Sequence, residues 1–73
     1  MICRLWRGWT TKDNADAYED IMRGQAIPDI EARRIPGFRS IELVRRERDH
    51  DVEFMTRMWF DNLDSVKAFM GED

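Results

Sequence analysis

The chain has 73 residues, 42% of them hydrophobic and 37% charged, with a net charge of −3 and one cysteine. That length is near the lower limit for an independent core and allows one domain, while the acidic balance argues against a nucleic-acid footprint, which is normally basic. A single cysteine excludes an intrachain disulfide and suits a reducing cytoplasm, and no apolar run approaches the ~20 residues that span a bilayer.

Ile2–Trp9 (ICRLWRGW) reads as the first strand. Alternation puts Cys3, Leu5 and Trp9 on one face and Ile2, Arg4, Trp6 and Gly8 on the other. Two tryptophans and two arginines are more than a core-filling strand needs. Gly8 signals a bulge or a close backbone approach. Cys3 is read as a small buried thiol, since no base is placed to activate it. The segment also lacks the apolar h-region of a secretory signal.

A helix starts at Thr10–Asn14, with Thr11 as N-cap and Asp13 and Asp16 near the positive end of its dipole. From Lys12 to about Gln25, the residues Ala15, Tyr18, Ile21, Met22 and Gln25 trace one stripe at helical spacing. Gly24 and Pro28 weaken the helix, so a separate turn or two is expected over Pro28–Arg34, with Ile27, Ile30 and Ile35 inward. Ile35-Pro36-Gly37 ends it.

The following stretch organises the chain. Phe38–Arg46 and Val52–Phe60 read as a hairpin joined by the charged link Glu47–Asp51. The first arm alternates, with Ile41 and Leu43 opposite Ser40 and Glu42. The second is apolar on both faces: Val52, Phe54, Met58 and Phe60 on one, Met55 and Trp59 on the other. Such a strand has to be covered on both sides. The chain's own helices cover one face, and a second copy, making a homodimer through the sheet, is expected on the other.

Asp61 or Asn62 caps a last helix with Asp64 in its first turn, Leu63, Val66, Phe69 and Met70 as its buried stripe, and Gly71 just past its end. The order β-α-β-β-α is α+β and makes up most of a ferredoxin-like split βαβ unit. In that unit the crossover sets the first two strands parallel with the third between them and both helices on one face. Its fourth strand is absent, the chain stopping at Gly71-Glu72-Asp73 where that strand would begin. The edge of the first strand would then be free to template another chain.

With these elements in place, RLWRGWT, NADAYED, IPGFRSIEL, EFMTRMWFDNLDSVKAF and the closing GED together resemble the antibiotic-biosynthesis-monooxygenase family of the dimeric α+β barrel superfamily. The resemblance covers essentially the whole chain. Its most specific part is the strand-to-helix junction: an aromatic residue, an acidic residue, a capping residue and Leu, with an Ala-Phe pair further on. It implies a ferredoxin-like protomer whose sheet packs face to face with that of a second copy. It also implies a small-molecule cavity and a cofactor-independent oxygenation. A deprotonated, electron-rich aromatic substrate passes an electron to O₂, and the protein supplies shape, water exclusion and polar groups near the anion.

On this resemblance Arg57 and Trp59 are candidate catalytic residues, and Arg4, Trp6 and Tyr18 candidate substrate-binding residues; no cofactor or metal is expected. An arginine beside a tryptophan suits an aromatic anion. Alternation leaves open whether the Arg4/Trp6 and Arg57/Trp59 pairs share a face. The competing reading has Trp59 filling the sheet–sheet interface, the arginines pairing with Glu42, Glu53 or solvent, and Tyr18 packing in the core. The domain is then a non-catalytic dimerisation or small-ligand-binding module. An enclosed pocket of at least ~300 Å³, bordered by Trp6 or Trp59 and an arginine, separates the two.

Haem-degrading relatives would need Asn on the first strand, Trp at the end of the last helix and His beyond it. This chain has Phe69 in the Trp position and neither of the others, so haem cleavage is not expected. His50, between Asp49 and Asp51, is no metal site, because three adjacent residues on a tight turn cannot converge on one ion. Arg45, Arg46 and Arg48, interleaved with carboxylates, read as a salt-bridged hairpin end.

Overall fold

β1 (Ile2–Thr10), β2 (Phe38–Glu47) and β3 (Val52–Phe60) form one sheet in the order β1-β3-β2. Both outer strands run antiparallel to β3, and so parallel to each other. The computed structural model describes residues 1–71; Glu72 and Asp73, the end of the closing GED, lie outside the described residues. Among the described residues no helix is long and apolar enough to cross a membrane.

The register fixes which side chains share a face. Ile2, Arg4, Trp6 and Gly8 stand opposite Phe60, Met58, Thr56 and Phe54, while Cys3, Leu5 and Arg7 stand opposite Trp59, Arg57 and Met55. On β2, Ile41 and Leu43 join the first set, and Ser40, Glu42 and Val44 the second. Phe38 pairs with Phe60 but Ser40 with Trp59, so Arg39 is the extra residue of a β-bulge. Its guanidinium reaches the Asp61 carboxylate at 2.6 Å.

The helices lie on the Phe54 face. Ala15, Leu43, Val52 and Phe54 form the buried centre, with Tyr18, Met22 and Ile27 packed against it. Thr11 caps α1 (Lys12–Ile21), its hydroxyl accepting from the Asn14 N–H. The break expected at Gly24–Pro28 does not occur. Met22–Ala26 is a π-helical turn, and α2 (Ile27–Ala32) continues from it without leaving the right-handed region. The Ile27 N–H donates to the Met22 carbonyl, five residues back. That wider turn absorbs the N–H that Pro28 lacks and frees its ring from the carbonyl an ordinary turn would press against it.

The helix stripe is narrower than expected. Ile21 and Gln25 are exposed. At about 100° per residue Ile21 sits a quarter-turn or more from Met22, and the π turn shifts Gln25 off the line. α3 (Leu63–Met70) is capped by Asn62, whose side-chain oxygen accepts from the Ser65 N–H and hydroxyl, and is closed by Gly71 at φ 80°. Val66 and Phe69 face inward, but Leu63 and Met70 are exposed and Ser65 is buried instead. The turn at Gly37 sets this orientation: Gly37 has φ +83°, and a Cβ there would come within 2.8 Å of the Ser65 Cβ.

Candidate functional site

The two arginine–tryptophan pairs lie on opposite faces of the sheet. Arg4 and Trp6 point toward the helices, and Arg57 and Trp59 lie on the face that no helix covers. On the open face Glu42 draws both candidates to itself. Its Oε2 accepts from Arg57 at 3.0 Å and its Oε1 from the Trp59 indole N–H at 3.1 Å. The Arg57 Nε is buried without a partner among the described residues. Further along, Glu53 is buried and takes a hydrogen bond from Arg7, with Arg46 at 3.9 Å. Arg7 holds the Glu53 carboxyl below its ordinary range, outweighing burial, which pushes the other way. Val44 and Met55 lie between these ion pairs, Leu5 and Trp9 stand level with Arg57 and Glu53, and Cys3 lies beyond, beside Trp59; Leu5 is 58% and Trp9 52% exposed.

Arg4, Trp6 and Tyr18 come together on the helix side. With Met22, Ile30, Ile41, Thr56 and Met58 they border a cleft of about 220 Å³ between the π-helical turn and the sheet. It is smaller than the ~300 Å³ expected of a ligand cavity, and it opens to solvent rather than closing over. Met22, Ile30 and Met58 supply its apolar lining from both layers. The larger concavity, about 510 Å³ at Arg46–Asp51, is the concave side of the exposed, charged hairpin link. His50 sits there in the open, and among the described residues no three metal-ligating side chains are grouped.

The chemistry of the cleft is one-sided. Arg4 contacts an aromatic ring, its guanidinium carbon 5.6 Å from the centre of Phe69, and it belongs to none of the ion pairs among the described residues. Phe69 carries Arg33 as well, at 5.1 Å, so α3 and β1 meet through stacked cation–ring contacts. Burial pushes the Tyr18 phenol further up from its ordinary value, and as any tyrosine does at neutral pH it offers an O–H. Thr56 adds a hydroxyl at the cleft floor. Arg4, Tyr18, Thr56 and the Trp6 indole thus bring donor groups to the border of a mostly apolar space, and among the described residues no carboxylate or imidazole lines it. The arrangement can hold an anion, and among the described residues it contains no side-chain base.

The aromatic wall is built by three residues. Trp6 stacks on Tyr18 with centroids 6.4 Å apart, and Tyr18 tilts onto Phe54 at 4.7 Å. Thr56 was not among the residues singled out from the sequence. Its signal was there: it is the one hydroxyl among the inward-facing positions of β3, between Phe54 and Met58. Arg45 ties the site's scaffold together from β2. It pairs with Asp16 and Glu19 of α1 and with Glu47, which favour its charged form, and it lies over the Phe54 ring.

No protein-family model, curated protein or solved structure matches the chain.

Proposed function

We propose that this chain is a ferredoxin-like, homodimeric small-ligand domain that takes a small, planar aromatic anion in the cleft bordered by Arg4, Trp6, Tyr18 and Thr56. The observation that carries the reading is an aromatic-walled cleft bordered by an arginine that has no carboxylate partner among the described residues, with the hydroxyl-bearing Tyr18 and Thr56 beside it. Such a lining favours a negatively charged, flat ligand over a cation or a neutral aliphatic one. The dimer reading rests on the uncovered sheet face, where the two-sided β3 leaves Met55 and Trp59 with Leu5 and Trp9 on a surface whose charges are internally neutralised as ion pairs. On this reading Arg57 and Trp59 belong to the subunit contact.

A second reading is cofactor-independent oxygenation, favoured by the same donors, which would stabilise an enolate or phenolate as it reacts. A ring methylene would become a carbonyl, one oxygen atom of O₂ entering the product and the other leaving as water with the two hydrogens. With no base lining the cleft among the described residues, the substrate proton would leave to solvent. The two readings part in one experiment: the protein is titrated calorimetrically with 2-naphthoate and its neutral carboxamide, then incubated under air with anthrone at an oxygen electrode. Preferential binding of naphthoate, lost in Arg4→Gln, supports the ligand domain, and uptake above the spontaneous rate adds the oxygenase. No binding of either probe together with no uptake removes both.

A further inference from the structure

Gly8 follows Trp6 by two residues on the same face of β1, and the six-membered ring of the indole lies where a side chain at position 8 would be. A Cβ there would fall 2.7 Å from Cζ2 of Trp6, and nearer still to Cη2. Real Cβ atoms do not approach carbon that closely, so the two cannot coexist. The obstructing atoms are the free end of one side chain. Gly8 is in a regular stretch of strand, opposite Phe54, with its φ outside the left-handed region. The backbone therefore has no need of glycine; only the indole does.

We infer that Gly8 is the positioning residue of the cleft. By leaving its own place empty it lets Trp6 lie back along β1 and serve as an aromatic wall beside Tyr18. The indole is fixed from two sides, by the bare backbone at position 8 and by the phenol of Tyr18. Trp6 is 42% exposed, so solvent offers the displaced ring a place to go. A methyl group at position 8 thus changes the shape of the cleft without unfolding the sheet; alanine also loses less conformational freedom than glycine in a strand. The consequence for ligands rests on the aromatic-anion reading above, but the placement of Trp6 does not.

A double-mutant cycle on the intact chain tests this. In Gly8→Ala the Trp6 indole N–H resonance is expected to shift, with the other two indole signals unmoved, and 2-naphthoate affinity is expected to fall roughly tenfold, as loss of one aromatic contact of about 1.4 kcal/mol would give. In a Trp6→Ala background, the added Gly8→Ala change is expected to leave affinity unchanged and to hold or slightly raise the thermal midpoint. An unmoved indole signal in Gly8→Ala, or a stability loss of the same size with and without Trp6, overturns the inference and makes Gly8 a backbone requirement. If the wild type fails to bind naphthoate, the ligand reading falls; the indole shift and the thermal half of the cycle still decide the role of Gly8.

Discussion

The indole of Trp6 and the phenol of Tyr18 face each other 28° from parallel, and Tyr18 carries that contact inward to Phe54. The ring of Tyr18 serves packing, while its hydroxyl makes no hydrogen bond among the described residues. Tyr18→Phe therefore keeps the wall and removes one donor. Thermal stability is expected to stay within about 1 kcal/mol, since no made hydrogen bond is lost, while 2-naphthoate affinity falls roughly three- to tenfold for a neutral donor to an anion. Calorimetric titration alongside thermal melts checks both. Unchanged affinity would take the hydroxyl out of the site.

Gly37→Ala is expected to be among the costlier single-methyl changes. Position 37 has φ +83° and faces the Ser65 side chain at the base of α3, so the new Cβ meets both backbone strain and a clash. Strain at a left-handed position costs about 1–3 kcal/mol. Urea unfolding is expected to give a lower midpoint with an unchanged slope. An unaltered midpoint would mean the turn and α3 move apart freely.

Acid is expected to destabilise the fold through Glu53 and Glu19. Arg7 lowers the first, and Arg23 and Arg45 the second, below the ordinary carboxylate value near 4.5. The unfolded chain then takes up protons more readily than the folded one. Their stabilisation is complete above the ordinary value and is lost as pH falls through the depressed folded values. Urea midpoints measured from neutral to about pH 3 are expected to decline over that range, and Glu53→Gln to flatten part of the decline while lowering stability at neutral pH. An identical decline in the variant would place the acid sensitivity elsewhere.

Leu5→Glu tests the uncovered face. Leu5 stands opposite Arg57 at the middle of that face and is exposed in the single chain. Sedimentation at micromolar concentration is expected to show a dimer for the wild type and a monomer with the same far-ultraviolet spectrum for the variant. A wild-type monomer would end the dimer proposal.

The strands, the hairpin and the first cap were legible in the sequence because each rests on local signals, alternation in Phe38–Phe60 and Thr11 before helical spacing; at the last helix the signals were Gly71 after it and two adjacent capping residues, Asp61 and Asn62, of which the structure uses Asn62. The parallel arrangement of β1 and β2 around β3 followed from chain order. What was not legible depends on phase. Pro28 is a helix breaker unless the preceding turn widens, and nothing in Met22–Ala26 announces a π turn. The Arg4/Trp6 and Arg57/Trp59 pairs could not be assigned to one face or two, because that depends on how β1 registers against β3, and a one-residue slip reverses it. The same limit hid Thr56 as a neighbour of Arg4 and Trp6. Cleft volume was overstated because the reach of Met22 and Met58 into it is set by the packing of the layers.

The order of the strands divides labour within the cleft. Thr56 and Met58 stand on β3, held by ladders on both flanks, whereas Trp6 and Ile41 belong to strands joined to the sheet along one side only. An outer strand can fray while the other stays zipped, which frees only those β3 amides that bond to it and leaves the rest of β3 paired. The ligand would thus rest on the one strand that stays tethered whichever margin loosens, between walls borrowed from the two outer strands.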